Sequence, residues 1–224
     1  MRLDRLVGKW GSLGKRRVRR LIEEGKVTVN GCANDKGATL VGKFDRVESD
    51  GEVVQANVRR AVILNKPAGV VSATKDEEHQ TVIDLIDRDW ASELHLAGRL
   101  DRFTTGLMIL TNDGEFSESL TEPSEKVGKR YLVAVDGEID ERVVDAFEVG
   151  MWFGKEQITT APAIVERLGS SRCLLTIFEG KHHQVKRMFA RFDLKVTSLH
   201  RESIGEIELP ADLLPGDWRE IDIA

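Results

Sequence analysis

The sequence is poor in the features that would tie a chain together covalently or hold it in a membrane. Its 224 residues include two cysteines, Cys32 and Cys173, far apart and without CxxC spacing. This excludes a disulfide framework and makes a reducing cytoplasm the expected setting. No run of about 18 apolar residues is available to span a bilayer. Met1-Arg2-Leu3-Asp4 does not open an apolar secretory signal. Internal repeats and low-complexity tracts are lacking as well. His79, His95, His182, His183 and His200 fall at no recognisable ligand spacing, so no metal is expected. Tyrosine occurs once, as Tyr131.

What is present suits a globular chain: 41% hydrophobic residues for a core and 32% charged residues for solubility. The net charge of −5 conceals an asymmetry. Residues 1–58 carry 12 Lys+Arg against 8 Asp+Glu, whereas the remainder carries 21 against 30. A small basic head on a larger acidic body suggests that the head meets a polyanion, although ordinary surface charge would give the same counts.

Two domains are expected, 1–58 with its linker and 59–224. In the head, Leu3, Leu6 and Val7 and then Val18, Leu21 and Ile22 recur at helical spacing. Lys26 to Gly31 alternates apolar with polar and ends in an Asn-Gly hairpin signal. Val47 and Val53-Val54 read as further strands. Lys15, Arg16, Arg17, Arg19 and Arg20 surround the apolar stripe of the second helix. Five cations in six positions repel one another unless something anionic offsets them, and RNA phosphates would do so. The bland alternative is a solvated face. This helix-helix-hairpin order, with Gly25-Lys26-Val27-Thr28-Val29-Asn30-Gly31, resembles the S4 RNA-binding module, which implies an RNA partner but no particular reaction.

In the body, β-type runs at Ala61–Leu64, Leu107–Thr111, Tyr131–Val135 and Cys173–Phe178 alternate with helical patterns. These lie at Thr81–Ile86, Phe116–Thr121, Arg142–Phe147 and Val185–Phe192. Strands outnumber helices and the crossovers are irregular, so an α+β fold with a mostly antiparallel sheet is expected.

The most informative stretch runs from Gly98-Arg99-Leu100-Asp101-Arg102 through Thr104 and Gly106 to Asn112-Asp113-Gly114. It sets an Asp between two arginines in a polar loop just ahead of an apolar strand. Neighbouring cations keep such a carboxyl ionised, available as nucleophile or base. By itself the pattern also fits a structural ion pair.

That stretch resembles the signature of the RsuA and RluA pseudouridine synthases, in which the Asp is the essential catalytic residue. Lys129-Arg130-Tyr131-Leu132-Val133 resembles the family's second motif, whose Tyr stacks on the target base. Glu179-Gly180-Lys181-His182-His183-Gln184-Val185-Lys186-Arg187 resembles the third, whose cation pairs with the Asp. Asn65-Lys66-Pro67-Ala68-Gly69 and Leu199-His200-Arg201-Glu202-Ser203-Ile204-Gly205 also match. The likeness spans almost the whole chain and is nearest to the RsuA branch, which acts on small-subunit ribosomal RNA.

The resemblance implies Asp101, Tyr131 and Lys186 as the catalytic set. It also implies Arg99 as the residue that fills the space left by an extruded base, and no cofactor. His183, Gln184 and Arg187 join the basic helix as expected RNA contacts. The expected partner is ribosomal RNA or an assembling ribosomal subunit, with no membrane, met by a monomer in the cytoplasm. The competing expectation is an RNA-binding ribosome-assembly factor without catalysis. A glycoside-hydrolase pair of Asp101 with Asp113 or Glu115 is disfavoured, because the intervening strand should carry those carboxylates away.

Overall fold

A computed structural model describes residues 1–154 and 156–223. The chain divides into two compact units, Met1–Arg59 and Arg60–Ala224.

In the first unit, α1 (Leu3–Trp10) and α2 (Lys15–Glu23) bury Leu3, Val7, Val18, Leu21 and Ile22 against Val27, Val41 and Val47. The apolar stripes spaced for helices meet each other and leave the charged faces outward. Strands β1 (Val27–Val29), β2 (Cys32–Ala33), β3 (Val47–Ser49) and β4 (Glu52–Gln55) form an antiparallel sheet in the order β2-β1-β3-β4. Asn30 and Gly31 both have positive φ, 51° and 81°, as a two-residue hairpin of this hand requires.

The second unit is built on one large sheet. Its strands are β5 (Ala61–Lys66), β6 (His95–Leu96), β7 (Thr105–Thr111) and β8 (Lys129–Val135). A separate pair, β9 (Trp152–Phe153) with β10 (Ile158–Thr159), precedes β11 (Ile164–Arg167) and β12 (Arg172–Ile177). β13 (Val196–Ile204), β14 (Ile207–Glu208) and β15 (Trp218–Ile221) complete it. The order is β11-β12-β8-β13-β7-β5-β15, with β14 on β13 and β6 on β7. β7 and β13 run parallel and the other pairs are antiparallel. The mixed, mostly antiparallel α+β architecture expected from the sequence is therefore the one observed.

Each face of the sheet carries its own core. On one side Leu64, Met108, Tyr131, Val133 and Leu175 pack with α4 (Glu141–Val149) and α5 (Gln184–Ala190) through Phe147, Val185 and Phe189. On the other, Ile63, Leu107 and Ile109 pack with Leu120 of α3 (Gly114–Thr121) and with Leu213. β5 is buried at every position and β7 at all but its first, which explains their unbroken apolar runs.

The parallel contact is close at Gly106, where φ is +100° and a Cβ would lie 2.3 Å from the Arg201 carbonyl oxygen. Only glycine fits there.

One element differs from expectation. Thr81–Ile86 forms no helix. Thr81 and Asp84 exchange the reciprocal hydrogen bonds of a helix start, 2.8 and 3.2 Å. The chain then leaves the helical path, because Val82 bonds back to Val71 and sinks into the core with Ile86. Pairing with a neighbouring segment outcompetes a one-turn helix signal.

Candidate active site

Asp101 opens a β-turn between β6 and β7, closed by the Thr104 amide donating to the Asp101 carbonyl at 3.0 Å. The turn is clamped from several sides. Ser72 Oγ donates to the Leu100 carbonyl at 2.7 Å and accepts from the Leu100 amide at 3.1 Å. The Gly69 amide donates to the Arg102 carbonyl, and Arg102 Nε returns a bond to the Gly69 carbonyl. Arg102 also reaches His79, whose backbone amide donates to Asp76.

The strongest clamp is Lys66, fully buried at the end of β5. Its ammonium donates to the carbonyls of Pro67, Arg102 and Thr104 at 3.1, 3.0 and 2.9 Å. Burial pushes its pKa down to about 8, against the pull of Asp101 and with the push of Arg201. Lys66 thus fixes the turn through neutral oxygens, and Asp101 is left for other work.

That carboxylate is partly exposed, at 27%, and faces the C-terminal helix. Val185, Met188 and Phe189 anchor α5 in the core, Phe189 meeting the Phe147 ring edge-on at 4.9 Å. Helical geometry then swings Lys186 beside the stripe, and its Nζ lies 2.6 Å from Asp101 Oδ2. His183 Nε2 lies 3.3 Å from the other oxygen, Oδ1. His183 takes a left-handed conformation, φ 50°, and stacks on His182 with ring centroids 3.8 Å apart.

Tyr131 arrives from β8, whose burial alternates residue by residue and turns this side chain to the core face. Its ring is buried, with the Arg201 guanidinium 6.0 Å from its centroid. Arg201 is itself 1% exposed and donates to the Leu107 carbonyl at 2.8 Å. It makes no ion pair among the described residues.

Arg99, Asp101, Thr104, Tyr131, His183 and Lys186 line one cavity of about 80 Å³. Six of the expected site residues (Asp101, Tyr131, Lys186, Arg99, His183 and Gln184) are therefore brought together. Gln184, expected to touch RNA, is buried and lines the same cavity. Its amide donates to Glu179 Oε1 at 2.8 Å and accepts from the Lys181 amide at 2.9 Å, so it holds the loop that carries His183. Arg187 is held by Glu156 in a bidentate pair and lies 3.8 Å from the Phe153 ring centroid.

Lys15, Arg16, Arg17, Arg19 and Arg20 are all exposed on α2 of the first unit. Arg19 and Arg20 pair with Glu23 and Glu24 one turn on. Sequence reasoning gave no role to Lys66, Ser72 or Arg201. The signal for Arg201 lay in its position, a charge at an inward-facing place of an alternating strand. Among the described residues no cluster of three or more His, Cys, Asp or Glu side chains could hold a metal ion.

The model of the RNA pseudouridylate synthase family matches residues 60–191, the stretch that contains Asp101, Tyr131 and Lys186. The chain belongs to the pseudouridine synthase family. It is 46% identical over 223 residues to ribosomal small subunit pseudouridine synthase A of Pseudomonas aeruginosa, covering 99% of this chain and 97% of that one. The Escherichia coli K12 protein of the same name is 37% identical over 222 residues, covering 99% and 96%. A crystal structure of a pseudouridylate synthase aligns with a TM-score of 0.71 at 34% identity, covering 99% of this chain and 96% of the other. The chain is thus a pseudouridine synthase, an isomerase, and its relatives share both of its units end to end.

Proposed function

We propose that this synthase converts one uridine of small-subunit ribosomal RNA to pseudouridine, with Asp101 as the catalytic carboxylate. The observation that carries the reading is a close pair, Asp101 with Lys186 at 2.6 Å, lining one cavity with Tyr131. The relatives' names supply the RNA class.

The reaction breaks the bond from uracil N1 to ribose C1′, turns the base and joins C5 to C1′; C5 gives up its proton to solvent and N1 takes one up, so that product and substrate are isomers. The uridine must first leave its stack, which costs a few kcal/mol. Arg99, exposed beside Asp101, fills the vacated space. Tyr131 stacks on the extruded ring, a contact worth about 1–3 kcal/mol. Lys186 fixes one oxygen of Asp101, leaving Oδ1 toward His183 and the substrate. A cavity of about 80 Å³ is small beside ordinary ligand pockets of roughly 300–1,000 Å³. The exposed side chains of Arg99 and His183 are the walls that swing aside.

The first unit serves as an S4-like RNA-binding head, supported by its helix-helix-hairpin order and the exposed cations of α2. The protein works as a cytoplasmic monomer. In the test, the purified chain meets a small-subunit ribosomal RNA transcript tritiated at uridine C5. Tritium release is expected, together with loss of one pseudouridine from the ribosomal RNA of a deletion strain. An unchanged pseudouridine map in that strain would contradict the reading.

A further inference from the structure

Thr104 carries an observation that the catalytic set leaves unused. Its side chain is 2% exposed, and its hydroxyl oxygen is fully buried without a hydrogen-bond partner. Buried hydroxyls are nearly always paired, because an unpaired one forfeits its hydration with nothing in return. Among the described residues three other buried side-chain atoms lack a hydrogen bond, Thr28 Oγ1, Asn65 Oδ1 and Arg130 Nε, the last lying 3.2 Å from the Glu202 carboxylate. Thr104 alone among these four lines the cavity with Asp101 and Tyr131.

Nor is the side chain adrift. Thr104 closes the Asp101 turn through its amide and is held at its carbonyl by Lys66 Nζ, 2.9 Å away. Its backbone is fixed at both ends while its hydroxyl is left unused. Such an arrangement is pre-organised for a partner that arrives with the substrate.

We infer that the Thr104 hydroxyl hydrogen-bonds a polar edge of the uracil ring once the uridine is extruded, making Thr104 a substrate-contacting residue. This rests on the proposed function. The ring is the chosen partner because Tyr131, an aromatic platform in the same cavity, brings the base to this wall. A hydroxyl both donates and accepts, so it can meet a uracil carbonyl or its N3–H.

The test compares Thr104→Val, which keeps shape and loses the hydroxyl, with Thr104→Ser, which keeps it. Tritium release from the small-subunit transcript should show kcat/KM lowered roughly tenfold in Thr104→Val and largely recovered in Thr104→Ser. The Tm of Thr104→Val should hold or rise, because an unpaired buried hydroxyl has been removed. Full activity in Thr104→Val overturns the inference, as does a Tm that falls with the activity, which would mark the hydroxyl as structural. A second arm uses RNA with an abasic nucleotide at the mapped target. Wild type and Thr104→Val should bind it equally, and a persisting difference overturns the assignment to the base. A wild type that releases no tritium overturns the proposed function and this inference with it; an active wild type beside an unimpaired Thr104→Val overturns the inference alone.

Discussion

The two units handle positive charge in opposite ways. On α2 of the first unit five cations stand in solvent, and among the described residues only Arg19 and Arg20 of these have carboxylate partners. In the second unit cations are drawn inward around the Asp101 turn. Lys186 is part-exposed against its carboxylate, while Lys66 and Arg201 are buried against backbone carbonyls without one. An exposed cation contributes little to stability and much to long-range attraction of a polyanion. A buried one is costly to desolvate, and it persists only where its hydrogen bonds are complete. The first arrangement suits loose capture of RNA, the second rigid placement of one carboxylate.

The comparison can be broken most sharply at Lys186. Lys186→Met removes the charge from Asp101 while keeping the apolar stem. Turnover should fall on the order of 100-fold in single-turnover tritium release, with Lys186→Arg retaining part of it. A Lys186→Met enzyme near wild-type rate would leave the ion pair without a catalytic part.

Lys66→Met comes next and should act first on stability, because three buried carbonyls lose their donor. About 2–4 kcal/mol is expected from urea unfolding at pH 7. The pH dependence gives the claim a sign. Folding lowers the Lys66 pKa from 10.5 to about 8, so between those values the unfolded chain holds the proton more than the folded one. Stability from this group therefore rises with pH in that window. Wild type should gain on Lys66→Met from pH 8 towards 10.5, by roughly 1–3 kcal/mol. A constant difference would show that Lys66 is not a desolvated ammonium.

The smallest effects belong to α2. Arg16→Ala with Arg17→Ala should weaken RNA binding and lower the slope of log K against log salt by about 2. Arg19→Ala with Arg20→Ala should lower it less, because Glu23 and Glu24 already offset those charges. Equal slopes in all three proteins would remove α2 from the RNA interface.

Much of this was legible in the chain. Unbroken apolar runs predicted buried strands, and β5 and β7 are buried on both faces. The Asn30-Gly31 pair predicted a hairpin, which its positive φ values make. Lys186 was legible through the resemblance of Glu179–Arg187 to a family motif, and the helical pattern over Val185–Phe192 is observed as α5, Gln184–Ala190. The burial of Gln184 was not legible, because sequence does not show that a polar residue at a helix start is turned inward to hold its own loop. Lys66 escaped because its partners are backbone carbonyls, two of them brought from 36 and 38 positions away, and carbonyls leave no mark on sequence. Thr81–Ile86 misled because its local helix-start chemistry is real and a longer-range strand contact overrides it.

The central claim is that a single carboxylate, rather than the surrounding cations, performs the rearrangement. It is tested most directly by Asp101→Asn, which keeps the side chain's shape, in single-turnover tritium release from small-subunit ribosomal RNA with RNA affinity measured in parallel. The account predicts no detectable release and nearly unchanged affinity. Sustained release from the Asp101→Asn enzyme would contradict it.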